Sequence, residues 1–158
     1  MYHIRVRACA LIIENNSIFL VEFQDESGLH YNLPSGGTEP GETIKEAVKR
    51  EALEEAGVEV EVGELVFVSE HAPHLTYHAS GVHGLSLMFD CTIKNGSTPS
   101  MPKNPDPNQT GVKWIPIDQL DEIILYPNIK ELIRKYSKGE YKNNSLIEED
   151  KLKKQLIN

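Results

Sequence analysis

The sequence predicts an α/β protein in which a mixed β-sheet is covered by helices, an α/β/α layering. Two observations carry this reading. The patterned segments run strand, strand, loop, helix, strands, loop, strand, helix. No internal repeat or linker divides the 158 residues, enough for a core that needs no disulfide or structural metal.

The first strand is expected over residues 3–13, where Ile4, Val6, Ala8, Ala10 and Ile12 alternate with Arg5, Arg7 and Cys9. That period, and the lack of a small-residue cleavage site, argue against reading the same stretch as a signal peptide. Asn15-Asn16-Ser17 forms a turn into a second strand at 17–24. A polar stretch then ends in Leu33-Pro34-Ser35-Gly36-Gly37-Thr38-Glu39-Pro40-Gly41. Its glycines and prolines preclude a helix or a central strand, leaving a shaped loop.

A helix follows from about Thr43 to Ala56. Thr43 and Glu46 have capping-box spacing, and Gly57 stands where a left-handed C-cap glycine belongs. Strands are expected near 58–69 and 84–93, separated by a polar, histidine-rich segment. Residues 95–110, with four prolines, form a long loop of the kind that is often functional. A short strand at 111–115 leads to a second helix in which Ile129, Leu132, Ile133 and Tyr136 keep helical spacing. The domain is thus expected over 1–138, followed by a charged tail, 139–158, with a peripheral helix from Ser145.

The net charge of −8, without a basic patch, argues against a nucleic-acid polymer as partner, because that affinity comes from Lys and Arg neutralising phosphates. An acidic chain acting on a small phosphorylated molecule would need divalent cations. No apolar run approaches the roughly 20 residues of a membrane span. Cys9 and Cys91 allow one disulfide, but buried free thiols in a reducing cytoplasm are the preferred reading.

The chemistry is expected on the helix at 43–56. At about 100° per residue, Ile44, Ala47 and Val48 share one face, and Glu51, Glu54 and Glu55 fall on the same arc. A merely solvated acidic helix would turn its carboxylates away from the apolar stripe. Three inward carboxylates repel one another and lose hydration unless a cation sits among them. Oxygen ligands select a hard ion, Mg²⁺ or Mn²⁺ as a substitute, which could activate water for attack on phosphorus. Arg50, four residues before Glu54, can orient a carboxylate, and Glu42 lies near the helix N-terminus, where negative charge is favoured.

The segment 36–58 resembles the Nudix box, G-x5-E-x7-R-E-U-x-E-E-x-G-U with U apolar. It matches through Gly36, Glu42, Arg50, Glu51, Ala52, Glu54, Glu55, Gly57 and Val58, with Ala52 smaller than the family's usual aliphatic. Tyr31-Asn32-Leu33-Pro34-Ser35 resembles the family's lead-in to the box, with Tyr and Ser as departures, and Trp114-Ile115-Pro116 its last strand. The resemblance implies a Nudix α/β/α sandwich hydrolysing a pyrophosphate bond in a nucleoside diphosphate linked to another moiety. The substrate could be ADP-ribose or another nucleotide sugar, or a modified nucleoside triphosphate. It further implies Glu51, Glu54 and Glu55 as metal ligands, Arg50 as their orienting partner, Glu42 as support and Gly36 as a backbone contact. A homodimer is allowed by the same analogy.

Weaker signals lie elsewhere. His71, His74, His78 and His83 lack the cysteine-paired spacing of a structural zinc site and read as a polar loop, with His74 a candidate substrate contact. Asp106 is a candidate to touch substrate, or to serve with Glu70 as a base or ligand outside the box. Pro73 lies after the box where ADP-ribose-cleaving members of the family tend to have a proline, so the resemblance there leans to ADP-ribose or a similar nucleotide sugar. Tyr31, Phe67, Tyr77 and Trp114 read as core or rim aromatics. The competing function is a catalytically silent nucleotide sensor, which the intact Glu54-Glu55 pair disfavours.

Overall fold

The computed structural model describes residues 3–75, 81–142 and 145–155. In chain order its strands are β1 (Arg5–Leu11), β2 (Ile13–Glu14), β3 (Ser17–Asp25), β4 (Gly28–Asn32) and β5 (Ser35–Gly37), then, after the helix α1 (Ile44–Ala56), β6 (Val60–His71), β7 (Gly84–Ile93) and β8 (Gln109–Pro116). The helix α2 (Lys130–Ser137) and a short strand β9 (Ile147–Glu148) complete it. One sheet has the order β5-β1-β7-β6-β9, with β1 parallel to β7 and antiparallel to β5, so it is mixed as expected. The other sheet is built on β3, which pairs with β2, β4 and β8. Because β8 pairs along Ser17 to Phe23, β2 and β4 must share the opposite edge of β3.

The continuous strand expected at 3–13 is divided at Ile12, because β1 and β2 belong to different sheets. Asn15 and Asn16, at φ 49° and 58°, make the two-residue turn between β2 and β3. β4 falls in the stretch read only as polar, where five residues without clean alternation give too little signal. Within the glycine-rich loop, Ser35–Gly37 pairs with β1, but only at the sheet edge.

Period-2 alternation along β1 divides the core. Ala8, Ala10 and Ile12 pack with Ala47, Val48, Ala52 and Ala56 of α1. Cys9 and Leu11 pack on the other face with Leu120, Ile129 and Ile133 in and before α2. The alanines on both partners let α1 lie close to the sheet, and the small Ala52 of the box is fully buried there. Cys9 and Cys91 belong to these two different clusters, on opposite faces of the sheet, which excludes the disulfide option. Burial pushes both thiols up to about 12. Among the described residues no helix is long and apolar enough to cross a membrane.

The tail departs from expectation. Instead of a peripheral helix from Ser145, residues 147–148 form β9, parallel to β6, and a 3-10 turn follows at Glu149–Lys151. Ile147 supplies an apolar side chain that the α2-side core buries, and this packing overrides the helical propensity of a charged segment. Ile147→Ala is therefore expected to destabilise the protein by about 2 kcal/mol in urea unfolding, near the low end for a buried isoleucine because the site is at an edge.

Candidate active site

Helix α1 begins and ends as its sequence predicts. The Thr43 hydroxyl accepts from the Glu46 amide and the Glu46 carboxylate from the Thr43 amide, while Gly57 closes the helix at φ 65°. The helix turns one face onto β1 and carries its acidic residues up to β5. Glu55 is buried among the alanines, and its Oε1 accepts from the Ser35 amide at 2.7 Å. Glu51 is half-buried against Gly36, where a Cβ would collide with its carboxylate. Gly36 thus matters because it has no side chain.

The inward set of three carboxylates needs correction for Glu54. Its side chain remains 57% exposed, at the rim, since the face that α1 buries runs through Ala52 and Ala56 instead. Arg50 draws the carboxylates together. Its Nε and Nη2 donate to the two oxygens of Glu42 at 3.0 and 2.7 Å. Its Nη1 donates to Glu51 at 2.7 Å and to Glu54 at 3.2 Å, and Nη2 also donates to the Gly37 carbonyl at 3.0 Å. The guanidinium beside Glu42 holds that carboxyl below its ordinary range, and the same contacts raise the Arg50 pKa.

These residues open onto a cavity of about 840 Å³ that also receives Asp106, Lys103 and Gln109 from the proline-rich loop and the start of β8. Burial raises the Glu51 carboxyl, against the pull of Arg50. Burial pushes Glu55 up to about 8, with Glu51 and Asp106 adding to the shift and the Ser35 amide opposing it. Among the described residues no three acidic or histidine side chains already converge as a closed metal site, because Arg50 holds two of the carboxylates. The donor chemistry nonetheless fits a hard cation. Carboxylates that raise one another line a single space, and the buried Gln109 Oε1 on its wall has no hydrogen-bond partner.

Arg5 and Arg7 also line this cavity, and composition alone did not single them out. They are two apart on one face of β1, so the strand pattern held the signal, which amounted to a pair of cations on one side of a core strand. Arg5 lies over Gly37, and Arg7 donates to the Ser35 hydroxyl at 2.9 Å.

Other expected site residues lie elsewhere. His74 is exposed in a 3-10 turn and lines neither this cavity nor the neighbouring one beneath His71. Glu70 pairs with His83 at 2.9 Å. Pro73 is also absent from both cavity walls. His78 and Tyr77 lie outside the described residues. Tyr31 and Phe67 are core residues, and Trp114 packs edge-on against Phe19 at the surface.

Comparison with known proteins agrees with this architecture. A family model described as the NUDIX domain matches residues 1–136, and the chain belongs to that family. It is a Nudix hydrolase. Nucleoside triphosphatase NudI of Escherichia coli O1:K1 / APEC is 33% identical over 100 residues, spanning 58% of this chain and 70% of that one. The fold is shared with a NUDIX hydrolase from Nitrosomonas europaea, with TM-score 0.68, 24% identity, and 90% of this chain and 100% of that one covered. It is shared too with an ADP-ribose pyrophosphatase from Streptococcus suis, with TM-score 0.63, 20% identity, and coverage of 92% and 99%.

The raised Glu55 has a consequence for the metal-free protein. Its folded pKa lies above its unfolded value, so its effect on stability is absent below about pH 4.5 and grows unfavourable as pH rises towards 8. Glu55→Gln should therefore match the wild type in stability near pH 4.5 and exceed it by up to about 4 kcal/mol at pH 8. Denaturant unfolding with a chelator present, at both pH values, measures the difference.

Proposed function

We propose that this hydrolase cleaves a pyrophosphate bond in a nucleoside triphosphate or a nucleoside diphosphate derivative, using Mg²⁺ or, in its place, Mn²⁺. One observation carries the reading: carboxylates from α1 and guanidinium groups from β1 face the same cavity. A diphosphate needs cations on its oxygens, and the carboxylates need a cation between them. A divalent ion held between the two satisfies both requirements.

Glu51, Glu54 and Glu55 are the ligands for that ion. When bound, it draws charge from the phosphate oxygens and lowers the pKa of a neighbouring water. The chain's own residues do the rest. Arg50 sets the carboxylates of Glu51 and Glu54, Glu42 holds Arg50 from the loop, and Gly36 leaves Glu51 its place beside β5. Arg5 and Arg7 bind phosphate oxygens. Asp106, on the wall formed by the proline-rich loop, takes the proton of the attacking water or supports a further ion. The similarity to NudI, a nucleoside triphosphatase, favours triphosphates. The two free, buried thiols accord with a reducing cytoplasm.

The test is product release from a panel of ordinary and oxidised nucleoside triphosphates, nucleotide sugars, ADP-ribose and dinucleotides, with Mg²⁺ or Mn²⁺ and then with a chelator. Metal-dependent cleavage of one class is expected, and cleavage that persists in chelator overturns the reading. Glu54→Gln, at an exposed position, should leave the fold intact and lower turnover on the order of 10²-fold or more. Retention of most activity would remove Glu54 from the site. Gly36→Ala should likewise fold and lose activity, because its methyl group displaces the Glu51 carboxylate.

A further inference from the structure

Arg7 is a half-buried cation that makes no ion pair among the described residues. Its Nη2 donates to the Ser35 hydroxyl at 2.9 Å, a neutral acceptor. Glu55 and Glu149 feel its charge, but from beyond ion-pair distance. A guanidinium carries several N–H donors in a fixed fork, so an anion is still needed to complete it. The group stands on the wall that the carboxylate cavity shares with the neighbouring cavity beneath His71.

What aims this guanidinium comes from β5. Ser35 lies opposite Cys9 in the antiparallel pair of β5 and β1, so its side chain shares a sheet face with Cys9 and Arg7. Arginine only donates, so the Ser35 oxygen must accept, and the hydroxyl's own proton goes elsewhere. The Cys9 sulfur receives it, lying within hydrogen-bond reach of the Ser35 hydroxyl and of Ser86 beyond. Cys9 thus fixes the rotor of Ser35, and Ser35 turns a lone pair towards Arg7. The Ser35 amide meanwhile donates to Glu55 Oε1 at 2.7 Å. A single residue of β5 therefore holds a guanidinium by its side chain and a carboxylate of α1 by its backbone.

We infer that the Ser35 hydroxyl is a positioning group that sets Arg7 against the phosphate chain of the substrate and governs how tightly that chain is held. The inference rests on the reading of Arg7 as a phosphate contact and adds the group that aims it. An unanchored arginine side chain must be ordered when it binds an anion, and anchoring it beforehand removes that entropy from the cost of association. The anchor is neutral, so the charge of Arg7 is kept. A carboxylate in the same place would form an ion pair with it and compete with phosphate. The remaining N–H groups stay directed at the shared cavity wall, where phosphate oxygens can take them in pairs. Ser35 is also a departure from the lead-in that the box resembles, so the hydroxyl is a feature of this chain.

The test is a double-mutant cycle on the full chain, read by calorimetric titration with inorganic tripolyphosphate in the absence of metal. Ser35→Ala deletes the hydroxyl and keeps the amide that holds Glu55, so the fold should persist, which urea unfolding checks. Ser35→Gly keeps the same amide and takes its place if the alanine variant does not fold. Loss of the hydroxyl should weaken binding about fivefold, and should change nothing in an Arg7→Gln background, where no guanidinium is left to aim. In turnover of whichever nucleotide is cleaved, the loss should fall on KM, and a lower kcat at unchanged KM would overturn the inference.

Weaker binding in Arg7→Gln with none in Ser35→Ala would overturn the positioning role and leave Arg7 as a phosphate contact. An equal loss from Ser35→Ala in both backgrounds would show an effect that bypasses Arg7, and would overturn it too. Unchanged binding in Arg7→Gln, or no binding by the wild type, would remove the phosphate contact and the inference together. Because this binding is read without metal or turnover, the fivefold loss found together with no cleavage across the nucleotide panel would keep the inference and remove only the hydrolytic reading.

Discussion

The site depends on the way one guanidinium group is shared. Arg50 joins Glu42, Glu51, Glu54 and the Gly37 carbonyl, and so ties the glycine-rich loop to the helix that follows it. Without a cation at that position, these three glutamates would repel one another across a partly buried space. With it, loop and helix form one unit whose carboxylates already point towards a common cavity. The same pairing offsets part of the carboxylate charge in the metal-free protein. A divalent ion would therefore compete with Arg50 for Glu51 and Glu54 rather than enter a ready-made cage.

A second constraint is closeness. Alanines on α1 and β1 allow the helix to settle on the sheet, and Gly36 allows the Glu51 carboxylate to touch β5. Together they place Glu55 where burial outweighs its one amide hydrogen bond and its carboxyl rises to about 8. Both cavities then open around the β1–β5 pair. Arg5 and Arg7 are common to their walls.

Much of this was legible in the chain itself. The capping box and Gly57 bounded α1 to within a residue, since caps are local hydrogen-bond devices. Arg50, Glu51 and Glu55 could be gathered from helical spacing, which turns sequence separation into direction, whereas Gly36 came from the resemblance to the Nudix box. The same wheel misjudged Glu54, since it ranks faces by angle and cannot know that the sheet covers the Ala52–Ala56 side more fully. His74 read as a substrate contact only because it was near other histidines in sequence, and the chain carries it to an exposed turn.

The sequence by itself determined the mixed α/β layering, the acidic helix and its orienting arginine, because period, capping and i, i+4 contacts are written in neighbouring residues. Only the tertiary structure decided that β1 leaves one sheet as β2 enters another, that Arg5 and Arg7 border the carboxylate cavity, and that a charged tail becomes a strand. Those outcomes rest on partners far apart in the chain. Ile147 follows the core that buries it and Glu149 follows the Ser69 hydroxyl, about eighty residues earlier, which no local pattern contains.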